Sequence, residues 1–331
     1  MTGNKTRVVI VDDTRSIRAM IRALLMRSGD IEVVGEAGDP YEARELIRTL
    51  NPDVITLDVV MPRMDGLSFL EKVMRLRPMP VVMVSTRTTE KSFDAVRALE
   101  LGAVDCVDLR SLQDGTSKVN LADAVLMAAQ SNTSHFARKK SVEPPQDTSP
   151  FRWNGKTVLI GSSTGGVEAL MTILSSYPVD GPPTVIAQHM PSAFLSSFAD
   201  RLDRSIAPKT LLAEDGQRVE KGHVYLAPGG TEHLILSPKR PPVLQFVPDA
   251  GEAYVPSIDL LMASGERHGR KVVGVILTGM GRDGADSLLK MRQAGAHTIV
   301  QSAKTCVVDG MPGAARKIGA AVEVAPLDLI G

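Results

Sequence analysis

Residues 156 to 170 read KTVLIGSSTGGVEAL, a short apolar strand that runs into a Gly-Ser-Ser-Thr-Gly-Gly turn and leaves it as an amphipathic helix. A serine at such a turn, here Ser163, lies at the carboxyl edge of a parallel sheet, where α/β proteins bind ligands. The backbone N–H groups of the turn also suit an anion, so taken alone the stretch supports a phosphate loop as well as a nucleophile. Two later stretches carry matching chemistry. TVIAQHM at 184 to 190 is an apolar strand ending on Gln188 and His189, and VVGVILTGMGRDG at 272 to 284 is another, leading into a Gly-rich turn with Asp283. A single histidine after a strand is usually structural. Ser163, His189 and Asp283 follow three buried strands and can converge on one sheet edge as nucleophile, base and orienting carboxylate.

The chain has 331 residues, enough for about two domains with full cores. Its composition is that of a globular protein, 43% hydrophobic and 23% charged. Lys and Arg number 38 and Asp and Glu number 38, so no broad electrostatic attraction to nucleic acid or anionic lipid is expected. No apolar run approaches the length of a membrane span, and MTGNKTRVVIVDD has no signal-peptide core, so a cytoplasmic location without membrane insertion is expected. Cys106 and Cys306 lack metal-ligand spacing and read as buried thiols.

Up to about residue 130 the chain alternates strand and helix five times, which calls for a doubly wound parallel sheet. The strand at 7 to 11 ends on Asp12 and Asp13, and the strand at 52 to 57 ends on Asp58. Carboxylates brought together at one edge repel, so a hard divalent cation such as Mg²⁺ is their natural partner; three solvated loop carboxylates are the plainer alternative. VDD at 11 to 13, TLDVVMPRMDGLSFL at 56 to 70 and VMVS at 82 to 85 together resemble the receiver domain of two-component response regulators, a flavodoxin-like fold. The resemblance implies that Asp58 is the phosphoacceptor and that Asp12, Asp13, Asp58 and the Val60 carbonyl hold Mg²⁺. It also implies that Ser85 hydrogen-bonds the phosphoryl group. Two positions depart from the pattern. Leu109 stands where the family carries a lysine and Cys106 where it carries an aromatic, so the usual switch lacks its charge sensor and its swinging ring; Arg110 is the one nearby cation.

Between residues 131 and 150, SNTSHFARKKSVEPPQDTSP has linker composition, and its basic run Arg138-Lys139-Lys140 reads as solvated chain. Phe136 and Val142 are its apolar residues. Residues 151 to 331 resume the alternation, with a hairpin-like interruption at 223 to 247, so a second, Rossmann-like domain is expected: mostly parallel, with an antiparallel edge. The series IGSSTGGVEAL, AQHMP, YLAPGGTEHL, PSIDLL, VILTGMGRDGA and TCVVDGMPGAA resembles, in order, the catalytic domain of chemotaxis protein-glutamate methylesterases. Joined to a receiver it resembles the CheB architecture. Ser302 and Asp309 depart from that family at the cleft rim, where an acidic residue and a tyrosine are usual.

The resemblance implies domains at 1–130 and 151–331 joined by the linker, and a triad of Ser163, His189 and Asp283. The implied reaction hydrolyses glutamate γ-methyl esters on chemoreceptor cytoplasmic helices, with deamidation of receptor glutamines in many members. A chemotaxis histidine kinase would be the phosphodonor, and phosphorylation would relieve a block of the cleft by the receiver. Backbone N–H groups must stabilise the oxyanion, with those of Thr164 and Met280 as candidates and the Thr164 hydroxyl assigned to capping the following helix. No cofactor is needed at this second site. A catalytically reduced docking module in a chemosensory complex is the alternative, against which the intact triad argues. A DNA-binding regulator is excluded by the absence of a basic recognition helix.

Overall fold

The computed structural model describes residues 5–85, 92–109, 120–131 and 152–331. Arg110, Phe136, Arg138–Lys140 and Val142 lie outside the described residues, with most of the expected linker. The chain divides into two compact units on either side of the 139/140 peptide bond.

In the first unit, the described residues form a five-stranded, wholly parallel sheet in the order β2-β1-β3-β4-β5. The strands are β1 (Thr6–Val11), β2 (Ile31–Ala37), β3 (Val54–Asp58), β4 (Val81–Ser85) and β5 (Asp105–Asp108). Apolar runs such as VVIV and VITL are buried on both faces, as helices on both sides of a parallel sheet require. Helix α1 (Arg15–Met26) buries Ile21 and Leu25 against Val8, Ile10 and Val54. Helix α2 (Pro40–Leu50) begins where the Asp39 carboxylate accepts the Tyr41 and Glu42 amides, with proline in its first turn, and ends at left-handed Asn51. Helix α3 (Gly66–Leu76) is capped by Asp65. Helices α4 (Ser92–Glu100) and α5 (Leu121–Gln130) complete the layers, α5 burying Leu121 and Val125.

The second unit carries a seven-stranded sheet, again wholly parallel, in the order β14-β13-β12-β6-β7-β9-β8. Its centre is β6 (Thr157–Ser162), flanked by β7 (Thr184–Gln188) and β12 (Val272–Ile276). Outside them lie β8 (Lys209–Leu212), β9 (His223–Leu226), β13 (His297–Gln301) and β14 (Glu323–Ala325). The antiparallel pair expected at the sheet edge is a separate two-stranded ribbon, β10 (Glu232–Leu236) with β11 (Leu244–Pro248). HVYL at 223 to 226, read with that hairpin, instead lies parallel between β7 and β8, because Val224, Tyr225 and Leu226 are apolar enough to be buried on both faces. Helices α6 (Gly166–Leu174), α7 (Ser192–Ser205), α8 (Ile258–Glu266), α9 (Ala285–Gln293) and α10 (Met311–Lys317) cover it. Leu159, Val185 and Ile276 are fully buried beneath them, each stabilising the fold by about 2 kcal/mol through burial. No described helix is long and apolar enough to cross a membrane.

Candidate functional site

In the second unit the chain turns outward in opposite directions from β6, running to β7 on one side and to β12 on the other, which makes the carboxyl edge of these three strands the natural ligand crevice. The register there is tight. The His189 amide donates to the Ser162 carbonyl at 3.0 Å, and the Ser163 amide donates to the Thr278 carbonyl at 3.0 Å. The ends of all three strands therefore share one level of the sheet.

The glycines explain why the turn has this sequence. Gly165 adopts φ +77°, and a β-carbon there would lie 2.6 Å from the Val307 side chain. A β-carbon on Gly279 would lie 2.7 Å from that of Ser163, so the two turns pack closely enough to exclude any larger residue. Gly165 is also the N-cap of α6, and no side chain caps this helix. The capping role expected of the Thr164 hydroxyl is corrected accordingly: the left-handed glycine makes the turn between Thr164 and the helix. The Thr164 side chain is buried, and its carbonyl accepts from the Thr278 hydroxyl at 3.0 Å.

His189 Nε2 and Asp283 Oδ2 are 2.8 Å apart, and the imidazole is almost completely buried. Its Nδ1 is buried and has no hydrogen-bond partner among the described residues. Asp283 takes two further hydrogen bonds from the first amides of α8: Ile258 to Oδ2 at 2.8 Å and Asp259 to Oδ1 at 2.9 Å. Ser257 caps the same helix end by accepting the Leu260 amide. Burial opposes charge on Asp283, but His189 and the two helix amides outweigh it and hold the carboxyl below its usual range. The adjacent Asp259 goes the other way, raised by burial and by the charge of Asp283.

Gln188 does more than end its strand. Its Oε1 accepts the Ser162 hydroxyl at 2.6 Å, and its Nε2 donates to the carbonyls of Ser163 and His189 at 2.9 and 3.0 Å. One buried amide thus ties the serine turn to the histidine turn. The amides of Thr164 and Met280 donate to no partner among the described residues, whereas the Gly279 amide is committed to the Val308 carbonyl. The Gly279 carbonyl in turn accepts the Gly310 and Met311 amides, so the segment read as TCVVDGMPGAA buttresses the 279–281 turn.

Sequence reasoning missed Tyr254, whose ring stacks on the His189 imidazole at a centroid distance of 4.2 Å and an interplanar angle of 16°. It lies in an irregular loop without periodicity, so no local signal marks it. Two histidines away from this pair, His233 and His268, are buried. His233 lies beside Asp249 and Glu252, with ligand atoms close enough for a cation. However, its Nδ1 accepts the Ser257 amide at 2.9 Å, so the neutral ring carries its proton on Nε2, the nitrogen facing the carboxylates. That nitrogen is a donor and not a metal ligand.

In the first unit Asp12, Asp13 and Asp58 bring carboxylate oxygens within 4.8 Å of one another. Asp12 Oδ1 accepts the Thr14 amide at 2.8 Å and Asp58 Oδ1 the Val59 amide at 2.7 Å. Burial, with the charges of Asp58 and Asp13 adding to it, pushes the Asp12 carboxyl up to about 7. An all-oxygen set of clustered carboxylates fits a hard cation such as Mg²⁺. Gly66 is required beneath it, since a β-carbon there would fall 2.0 Å from the Asp58 carbonyl. Ser85 ends β4, beside β3. Leu109 is buried in the core with Val107 and Leu121, and Cys106 is buried too, its thiol pushed well above its usual range by burial and by the nearby Asp105 and Asp108.

Comparison with known proteins agrees with both units. Residues 158–331 match the family described as CheB methylesterase, and residues 8–111 match the response regulator receiver domain. A protein-glutamate methylesterase/protein-glutamine glutaminase of Rhizobium johnstonii is 50% identical over 98% of this chain and 94% of its own length. One of Caulobacter vibrioides is 50% identical over 99% of this chain and 96% of its own. Among solved structures, the Thermotoga maritima CheB methylesterase catalytic domain is 38% identical, covering 54% of this chain and 96% of that one, with a TM-score of 0.50. With one family spanning more than half the sequence and relatives aligned almost end to end, this chain belongs to the CheB methylesterases that carry a response regulator receiver domain.

Proposed function

We propose that the chain is a receptor-modifying serine hydrolase that demethylates glutamate γ-methyl esters on the cytoplasmic helices of chemoreceptors and also deamidates receptor glutamines. It works in the cytoplasm, where those helices lie. Ser163 is the nucleophile, His189 the base and acid, and Asp283 the orienting carboxylate. The observation that carries this is the His189–Asp283 pair with Nδ1 left over, at the strand end adjoining Ser163.

The Asp283 carboxylate accepts a hydrogen bond from Nε2–H, which keeps the Nδ1 lone pair available to take the Ser163 proton. The serine oxygen attacks the ester carbonyl. The Thr164 and Met280 amides, uncommitted within the fold, stabilise the oxyanion. Protonated Nδ1 then returns the proton to the leaving methoxide oxygen, or in deamidation to the leaving amide nitrogen, which departs as ammonia, and water cleaves the acyl-enzyme by the same route. The carboxylate of Asp283, held ionised by two helix amides, stabilises the imidazolium in both halves.

Residues 1–130 act as the receiver, 131–150 as linker and 151–331 as the methylesterase domain. Asp58 accepts a phosphoryl group from the chemotaxis histidine kinase, with Ser85 as its hydrogen-bond donor. Asp12, Asp13, Asp58 and the Val60 carbonyl would hold Mg²⁺, which would supply charge neutralisation for that transfer. With Leu109 in the core, no lysine reports the phosphorylated state from that position. The docking-module alternative lacks support, since both the triad and the full-length kinship favour turnover.

The test is methanol release from methylated receptor by purified protein, with and without a small-molecule phosphodonor and Mg²⁺, alongside Ser163→Ala and Asp58→Asn. Release that needs Ser163, and that rises with phosphodonor only when Asp58 is present, is expected. No release from a competent substrate would sink the esterase reading, and Ser163-dependent release indifferent to phosphodonor would sink the switch.

A further inference from the structure

The loop between β11 and α8, residues 249 to 257, is tied down by one imidazole. His233 is fully buried, accepts the Ser257 amide at Nδ1, and donates from Nε2 towards Asp249 Oδ1 at 3.4 Å and Glu252 Oε2 at 3.2 Å. Both carboxylates also bind their own loop: Asp249 Oδ1 accepts the Gly251 and Glu252 amides, and Glu252 Oε2 accepts the Ala250 amide. His233 therefore grips the loop at its start and at its end. Ser257, at the far end, caps the helix whose first amides hold Asp283.

Between the two grips stands Tyr254, half-buried, with its ring lying nearly parallel on His189. Its hydroxyl lies 4.0 Å from where a β-carbon on Gly281 would sit, so the side chain reaches from the imidazole to the 279–281 turn. A flat ring against the imidazole face restricts rotation about the Cβ–Cγ bond. Rotation would break the hydrogen bond to Asp283 and move Nδ1. The electron-rich phenol face also favours the imidazolium that forms as Ser163 is deprotonated.

We infer that Tyr254 is a positioning residue for the catalytic histidine, presented by a loop whose shape His233 maintains. This rests on the assignment of His189 as the base. The ring does the positioning, so Tyr254→Phe keeps it and Tyr254→Leu loses it.

The experiment compares the full chain with these two variants in methanol release from methylated receptor, with Ser163→Ala as the blank. Tyr254→Leu should lower kcat by about 10- to 100-fold with KM within about twofold, the pattern of a misplaced base; Tyr254→Phe should stay within about threefold of the parent. A Leu variant with parental kcat overturns the inference, and so does one that changes only KM, or a Phe variant as poor as Leu. A second readout needs no turnover. The carbon-bound protons of His189 should show a ring-current shift in the NMR spectrum of the parent and of Tyr254→Phe, absent in Tyr254→Leu. If the parent releases no methanol yet shows that shift, the functional reading fails while the stack stands. Identical His189 shifts in the parent and Tyr254→Leu would sink the inference by themselves.

Discussion

Asp12 in the first unit and Asp283 in the second both lie beyond the carboxyl ends of parallel strands and both are largely buried, yet their surroundings treat negative charge in opposite ways. At Asp12 burial, reinforced by two further carboxylates, pushes the carboxyl up to about 7. Asp283 meets an imidazole and the amino end of a helix, and its carboxyl is held down. The difference teaches what each site awaits. The Asp283 site draws its counter-charges from within the fold, from an imidazole and two helix amides. The receiver site gathers three carboxylates at one edge, a donor set that fits a hard cation.

The same substitution should therefore act in opposite directions at the two sites, and the largest effect belongs to the hydrolase. Asp283→Asn presents an amide where Nε2–H needs an acceptor, favours the wrong tautomer, and should cut kcat for methanol release by about 10⁴-fold. A loss below tenfold would mean that Asp283 does not orient the base, and the contrast would collapse. Next is Gln188→Leu, which leaves the buried Ser162 hydroxyl and two carbonyls without their partner; urea unfolding should show a loss of about 2–4 kcal/mol. In the receiver, Asp12→Asn relieves repulsion and should stabilise that unit by about 1 kcal/mol without Mg²⁺. Millimolar Mg²⁺ should raise the receiver melting temperature of the parent and not of Asp12→Asn, as read by calorimetry; a variant less stable than the parent in chelator would show that the charge is already compensated.

The smallest effect concerns acid. At neutral pH Asp283 is ionised in both folded and unfolded chains. As pH falls, the unfolded carboxyl takes up its proton first, so the stability contributed by Asp283 is present above the ordinary carboxylate range and is lost as pH drops through the lower folded value. Denaturant titrations at pH 6 and pH 3.5 should show a smaller decline in Asp283→Asn than in the parent. Equal declines would remove Asp283 from the account.

The alternation of apolar strands with helices was legible because burial on both faces of a parallel strand leaves an unbroken run such as VLIG or TVIA. The positions of Ser163, His189 and Asp283 followed, since whatever ends neighbouring parallel strands shares an edge. The acidic cluster was legible for the same reason. The strand direction of HVYL was not, because a four-residue apolar run carries no sign of whether its neighbour is parallel. Nor was the burial of Leu109 in the receiver core.

By itself, then, the sequence determined where the strands lie and end and which reactive side chains reach the two edges, because hydrophobic periodicity is a local property that each segment carries alone. The tertiary structure decided which atom meets which: Asp283 on Nε2 and not Nδ1, Gln188 across two turns, Tyr254 over the imidazole and His233 holding its loop. Apart from the bond of Gln188 to its neighbour His189, those pairings join residues 16 to 94 positions apart. Register and loop path bring them within a few ångströms, and no segment encodes that alone.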